Sequence, residues 1–367
     1  MKRILILTAS FGEGHNAAAR NLKEGFMHHG EGDVEVRVED IFRNAYGWLD
    51  VLSEKVYLGV INHLPSVWQW FFDVLHDTNF LKKQAPLLGP AKRELQRLIK
   101  EFKPDWILST YPGCNYLLSI LYPQPEIRPF RHATIVTDSI TINKVWHQCF
   151  TDFYFVPNRD SAEILEERGI DKERIIDFGF PVPPEFAELK TNRQYPPETG
   201  VWKILYVINA AHRTATPLVE RLLQISGIQL TVTYGKDEAL GRTLKTCAKK
   251  LGKEISLYGW TPEMPRLMKE NHVIISKAGG ATVQECLAAC SPMIASQIVP
   301  GQEVGNGILL ERYNAGLIAE TPEKIIAAIE DAMAHQGAPF KAWHEGAKVL
   351  SRPRASLDIA KFLLDQK

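Results

Sequence analysis

The chain has no run of 18 or more apolar residues, so no segment is expected to cross a bilayer as a helix. The opening Met1-Lys2-Arg3-Ile4-Leu5-Ile6-Leu7 has the outline of a secretion signal. Its apolar run is too short, however, and stops at Ser10-Phe11-Gly12, so it reads as a first strand. There is no excess of either charge. The 43 Lys and Arg balance 43 Asp and Glu, which argues against a dedicated nucleic-acid binder but leaves room for a local basic patch on a membrane-facing surface. Cysteine is sparse, and the five present (Cys114, Cys149, Cys247, Cys286 and Cys290) are odd in number and lack metal-ligand spacing. They read as free buried thiols of a reducing cytoplasm rather than a disulfide frame or a metal site. Internal repeats and low-complexity segments are also missing.

What is present is 367 residues of ordinary globular composition, 45% hydrophobic, enough for two cores. Ile4 to Thr8 is a continuous apolar run, the mark of a parallel strand buried on both faces. A Gly-rich turn and a helix over about 16–29 follow it. Further strands are expected at 34–38, 106–109, 133–137 and 153–156, with an amphipathic helix over 91–102 and an aromatic helical segment over 41–83. Around Pro181-Val182-Pro183-Pro184 the alternation breaks, and the polar, Pro-containing stretch to Gly200 suits a linker. A second alternation then places strands at 203–208, 229–234, 255–258, 273–276 and 293–295. Helices fall at about 214–225, 238–251, 262–269 and 282–290, and a last one at 353–366. Strands alternating with helices in both halves predict α/β architecture, two doubly wound parallel sheets. The expected boundaries are 1–190, 200–350 and a terminal helix in 351–367 that packs back toward the first domain.

Three turns carry chemistry. Gly12-Glu13-Gly14-His15 follows the first strand and opens a helix, whose free N–H groups suit an anion or a hydroxyl-bearing ligand. Its glycine spacing also fits a dinucleotide fold, with Glu39 or Asp40 placed for a ribose. Against that rival, an imidazole at the lip of the turn would crowd a pyrophosphate, whereas it suits a general base facing a hydroxyl. The plainer alternative is a His that merely caps the turn. Ser276-Lys277-Ala278-Gly279-Gly280-Ala281-Thr282-Val283-Gln284-Glu285 is a second strand–turn–helix. Gly279 and Gly280 can present N–H groups to a pyrophosphate, and Glu285 can accept both hydroxyls of a ribose or can sit in a solvent-exposed ion pair. Pro300-Gly301-Gln302-Glu303-Val304-Gly305-Asn306 follows the next strand and offers donors and acceptors to sugar hydroxyls; taken by itself it is a polar turn.

In combination and order these turns resemble the monogalactosyldiacylglycerol synthase and processive diacylglycerol glucosyltransferase family. Thr137-Asp138 followed by Lys144-Val145-Trp146-His147, Gly179-Phe180-Pro181-Val182, and the pair 277–285 and 300–306 all match its motifs. The resemblance covers nearly the whole chain. It implies a GT-B fold, two doubly wound domains facing across a cleft, and transfer of a glucose or galactose from a UDP-sugar to a lipid, with inversion. It implies His15 as base and Asp138 orienting either His15 or the acceptor. Gly12, Gly14, Trp146 and Trp68 fall on the acceptor side. Arg213, Gly259, Ser276, Gly279, Gly280, Thr282, Glu285, Gln302, Glu303 and Asn306 fall on the donor side.

Two departures stand out: Ala278 replaces the family's Pro, and Ile208-Asn209-Ala210-Ala211-His212-Arg213 stands where the family is Gly-rich, with Arg213 as a phosphate contact instead. No Asp-x-Asp occurs, which points away from the divalent-metal route of other sugar transferases, and no cofactor is expected. Eight aromatics in 46–80 (Tyr46, Trp48, Tyr57, Trp68, Trp70, Phe71, Phe72 and Phe80), near Lys55, Lys82 and Lys83, suit either a membrane interface or a core. The resemblance favours the interface, hence a cytoplasmic protein peripherally bound to the inner face of the cell membrane. Three other readings stay open: a peptidoglycan lipid-precursor transferase, a UDP-sugar 2-epimerase, which would lack the aromatic segment, and a non-catalytic UDP-sugar sensor, which the 208–213 turn favours.

Overall fold

The computed structural model describes residues 1–10, 12–30, 32–47, 88–190, 193–209, 212–301 and 303–366, without the side chains of His212 and Arg213. The aromatic stretch therefore lies outside the described residues except for Tyr46, which ends a short helix. Two compact units are present. The first holds Met1–Pro184, Val299–Gly305 and Arg354–Lys367, and the second holds Glu185–Ile298 and Asn306–Pro353.

In the first unit six parallel strands run in the order β2-β1-β3-β4-β5-β6. They are β1 (Lys2–Thr8), β2 (Val34–Asp40), β3 (Trp106–Ser109), β4 (Arg131–Ile135), β5 (Phe153–Phe155) and β6 (Ile175–Ile176). The apolar run of β1 is central because it feeds both faces. Ile4 and Ile6 join Leu22 and Phe26 of α1 (Glu13–His29) in one core. Leu5 and Leu7 join Leu95 and Leu98 of α3 (Gly89–Phe102) and Leu117 of α4 (Pro112–Leu121) in the other. Short α2 (Ile41–Tyr46) completes that second layer, and α5 (Arg159–Glu167) lies between β5 and β6 in the chain.

The chain's final helix, α14 (Ala355–Asp365), belongs to this unit as well, and its Ile359, Ala360 and Leu363 enter the core beside α1. Gly25 makes the close approach possible, since a Cβ there would stand 2.4 Å from the Ser356 carbonyl oxygen. Ser356 Oγ donates to the Val182 carbonyl at 2.7 Å.

The second unit repeats the architecture, with order β12-β11-β10-β7-β8-β9, again all parallel. Its strands are β7 (Trp202–Val207), β8 (Ile228–Thr233), β9 (Ser256–Tyr258), β10 (Val273–Lys277), β11 (Met293–Gln297) and β12 (Gly316–Ile318). One core gathers Leu218 and Leu222 of α7 (His212–Leu222), Leu244 of α8 (Glu238–Leu251), Ile325 and Ile329 of α12 (Pro322–Ala334) and Phe340 of α13 (Ala338–Leu350). Between β9 and β12 the chain also forms α9 (Met264–Glu270), α10 (Gly280–Ala288) and α11 (Val304–Arg312).

The polar stretch after Pro184 is not a free linker. It starts with α6 (Glu185–Glu188), whose Phe186 is buried. Farther on, the Arg193 guanidinium donates to the Asn271 carbonyl at 2.8 Å, and the Tyr195 hydroxyl donates to the His272 carbonyl at 2.9 Å. Polar composition concealed an anchored segment, because its donors are satisfied by carbonyl oxygens of the second unit. All five cysteines are free thiols, and four are buried. Among the described residues no helix is long and apolar enough to cross a membrane.

Candidate functional site

A parallel sheet offers its ligand crevice beyond the carboxyl ends of the strands, where the strand order reverses. In the first unit that point lies between β1 and β3, and the turns after β1, β3 and β4 converge on His15. Gly12, at φ 125°, caps α1 without a side-chain bond. That positive φ excludes most residues and turns the chain directly into the helix. Gly14 follows in the first turn. By contrast α5, α8 and α12 are capped by Asn158, Asp237 and Thr321 side chains. The α1 terminus therefore keeps N–H groups for a ligand.

His15 is only 8% exposed. Its Nδ1 lies 2.8 Å from the Thr110 carbonyl oxygen and 3.0 Å from Thr137 Oγ1. The carbonyl can only accept, so the neutral ring carries its hydrogen on Nδ1 and its lone pair on Nε2. Tyr111 meets the imidazole edge-on at 5.1 Å, and the Trp146 ring lies 6.2 Å away. Burial among these groups pushes the His15 pKa down to about 4, against a smaller raising effect of the Thr110 carbonyl. At neutral pH the ring is an uncharged base.

Asp138 does something other than orient His15 directly. Its Oδ2 accepts the Trp146 indole N–H at 2.6 Å. Burial raises its pKa to about 6, and that indole bond pulls the other way. Trp146 itself is 0% exposed, packed with Val136, Ile142 and Tyr154. The expectation that it contacts the acceptor is corrected accordingly: an indole with no accessible surface supports Asp138 and backs His15 instead. Trp68 lies outside the described residues.

In the second unit the strand order reverses between β7 and β10. A cavity at this edge is lined by Tyr206, Asn209, Thr214, Lys277, Gln297 and Glu320, among others. Gly279 caps α10 with no side-chain bond, and its own N–H donates to the Lys277 carbonyl at 2.8 Å, so it is the first turn from Gly280 onward that can present N–H groups to an anion. Ser276 is fully buried and donates to the Val207 carbonyl at 3.0 Å. Its hydroxyl joins β10 to β7 and is not offered to a ligand, a second correction. Asn209 Nδ2 reaches both Ser276 Oγ at 3.2 Å and Thr282 Oγ1 at 3.4 Å. The turn that is not Gly-rich thus uses a side chain to tie itself to the start of α10. Glu285 sits half-buried on α10, and the Arg213 side chain lies outside the described residues.

Gly259 ends the β9 turn close to the Gly235 carbonyl oxygen, at 3.4 Å from a Cβ placed there. Beside it Trp260, which follows β9, is 72% exposed, a ring that the sequence analysis did not single out.

The 299–306 loop also differs from expectation. Glu303 is buried and its Oε2 accepts the Val299 N–H at 2.9 Å. Asn306 is buried and donates to the Ala278 carbonyl at 2.9 Å. Both fasten backbone, so neither is a free sugar contact in this conformation; Gln302 lies outside the described residues. Among the described residues no group of His, Cys, Asp and Glu could hold a metal ion.

Known proteins give the same division. The family described as monogalactosyldiacylglycerol (MGDG) synthase matches residues 15–182, and the glycosyltransferase family 28 C-terminal domain matches 208–347. A processive diacylglycerol beta-glucosyltransferase of Bacillus cereus is 26% identical over 343 residues, 89% of this chain and 84% of its own. Monogalactosyldiacylglycerol synthase 3, chloroplastic, of Arabidopsis thaliana is 25% identical over 380 residues, 98% of this chain and 80% of its own. Among solved structures, Acinetobacter baumannii MurG superposes with a TM-score of 0.61 at 10% identity, covering 100% of both chains. The S. aureus MnaA–UDP co-structure does so at 0.60 and 15%, covering 100% of this chain and 97% of its own. These two show the fold alone, which is GT-B. The unit that carries His15 is thus matched by the monogalactosyldiacylglycerol synthase family and the unit that carries the Gly279–Gly280 turn by the glycosyltransferase family 28 C-terminal domain, and the chain as a whole is similar to monogalactosyldiacylglycerol synthases and processive diacylglycerol glucosyltransferases.

Proposed function

We propose that this glycosyltransferase moves a hexose, glucose or galactose, from a UDP-sugar to a diacylglycerol-type lipid and inverts the anomeric centre. The observation that carries the reading is His15: neutral, held through Nδ1, with Nε2 unoccupied among the described residues at the switch point of the first sheet. The lipid hydroxyl gives its proton to Nε2 while its oxygen attacks the anomeric carbon. The bond from that carbon to the β-phosphate oxygen breaks, and UDP leaves with the electron pair. One displacement with one base inverts the centre. The open α10 terminus at Gly279–Gly280 stabilises the charge that develops on the leaving pyrophosphate, because its dipoles are already oriented. Glu285 takes the ribose hydroxyls, Thr282 and Arg213 support the phosphates, and Trp260 offers a ring to the base. Gln302 reaches the sugar. Asp138 lies beside the acceptor. The aromatic stretch 46–83 docks the protein at the headgroup layer, where rings and lysines are at home.

The test is UDP release from UDP-glucose and UDP-galactose on vesicles with and without diacylglycerol. His15→Ala should lower turnover by roughly 100-fold or more, the usual scale for a positioned base, with UDP affinity unchanged. A β-linked product from the α-linked donor is expected. Near-normal turnover of the variant would remove His15 from the mechanism.

A further inference from the structure

Building on the reading of His15 as the base, we infer that Thr137 is a positioning residue. Its hydroxyl and the Thr110 carbonyl clamp the His15 Nδ1–H between them and so select Nε2 as the nitrogen that takes the acceptor proton. Thr110 follows β3 and Thr137 follows the neighbouring β4, so two adjacent strand ends deliver two oxygens to one ring nitrogen. The distances are 2.8 and 3.0 Å, both within hydrogen-bond range. In the opposite tautomer the Nδ1 lone pair would face the Thr110 oxygen lone pairs and the Thr137 hydroxyl would have to turn its hydrogen onto Nδ1, so the Thr110 carbonyl sets the tautomer and the Thr137 oxygen adds a second acceptor to it. Both oxygens are buried, which keeps competing water away.

Once Nε2 is protonated, the ring's positive charge is shared through Nδ1–H with two dipoles already in place. A carboxylate does this for the imidazole of a Ser-His-Asp triad. Here neutral oxygens do it, and the free base stays uncharged. The ionisable groups on the elements that pack against the ring are engaged elsewhere. Glu13 of α1 pairs with Arg20, and Asp138 accepts from Trp146. Tyr111 meets the ring edge-on.

Thr137→Val removes the hydroxyl at nearly constant shape, and Thr137→Ser keeps it. The valine variant should lose roughly ten- to a hundredfold in kcat, the scale of one hydrogen bond to a charged group, with the KM for UDP-sugar unchanged. The serine variant should recover most of the loss. Independently of activity, nitrogen-15 NMR of the His15 ring at neutral pH should show one tautomer, Nδ1–H, in the wild type and the serine variant, and a mixture in the valine variant. A valine variant with wild-type kcat and a single tautomer overturns the clamp. So does a serine variant as impaired as the valine, since packing alone would then be at stake. A tautomer mixture with wild-type turnover instead overturns the reading of His15 as base, separating the two failures.

Discussion

At the scale of single residues, the environment of His15 makes a signed statement about pH. Desolvation by burial disfavours the imidazolium and brings the pKa to about 4 from an ordinary 6.5. A base works when deprotonated, so the acid limb that belongs to His15 should lie near pH 4, below any limb from Asp138, whose carboxyl titrates near 6. A pH–rate profile on the free enzyme checks this, and a profile without a limb near 4 would mean that the ring is solvated in solution. Residue identity was legible in the sequence wherever a motif set it; residue role was less so. Trp146, Ser276, Glu303 and Asn306 stand where the motifs put them, yet each spends its polar group on the fold: the Asp138 carboxylate, the Val207 carbonyl, the Val299 N–H and the Ala278 carbonyl. Spacing reports which side chain is present, not which partner it finds after folding. Thr110 escaped notice for a different reason, since its contribution to His15 is a backbone oxygen, and any residue supplies one.

Among elements, the strand–turn–helix pairs that hold the two sites were the most legible. Continuous apolar runs announce β1 and β10, and glycines mark the turns that follow. What escaped were α4, α5, α6, α11, α12 and α13, together with β6 and β12. Pro112-Gly113 at the start of α4 and Gly337 at the cap of α13 look like loop punctuation, and β6 is only two residues long. Such pieces are fixed by packing, not by local pattern. The contact of α1 with α14 gives a test at this scale. Gly25→Ala gains up to about 1 kcal/mol of helix propensity, but its Cβ would stand 2.4 Å from the Ser356 carbonyl oxygen, a backbone atom that moves only with its helix. Overpacking of this kind costs about 1–3 kcal/mol, so a net loss of stability is expected in chemical denaturation. A more stable variant would mean that α14 shifts freely.

For the whole molecule, three buried histidines couple stability to acid. Burial lowers His15 to about 4, His132 to about 3 and His272 to about 4. In the unfolded chain each titrates near 6.5, so below that pH the unfolded state binds protons that the native state refuses. The stability is complete above pH 6.5 and drains as pH falls toward 4 and 3. Each pKa unit corresponds to about 1.4 kcal/mol. His272 shows the mechanism plainly: its Nδ1 accepts the Lys203 N–H at 2.9 Å, a bond that protonation would break. Melting temperatures should drop steadily between pH 6.5 and 4, in both units, and a flat profile over that range would contradict the buried, neutral state of these rings.

The place of α14 in the first unit also bears on how the protein is made. Residues 355–365 are translated after the whole of 185–353, yet they share a core with Leu22, Phe26 and Ile4, which are translated before that stretch. On the ribosome the second unit can close while the first still waits with an apolar helix face bare. That interval is set by elongation at about 5–20 residues per second, and codon changes that slow translation of 185–353 would lengthen it.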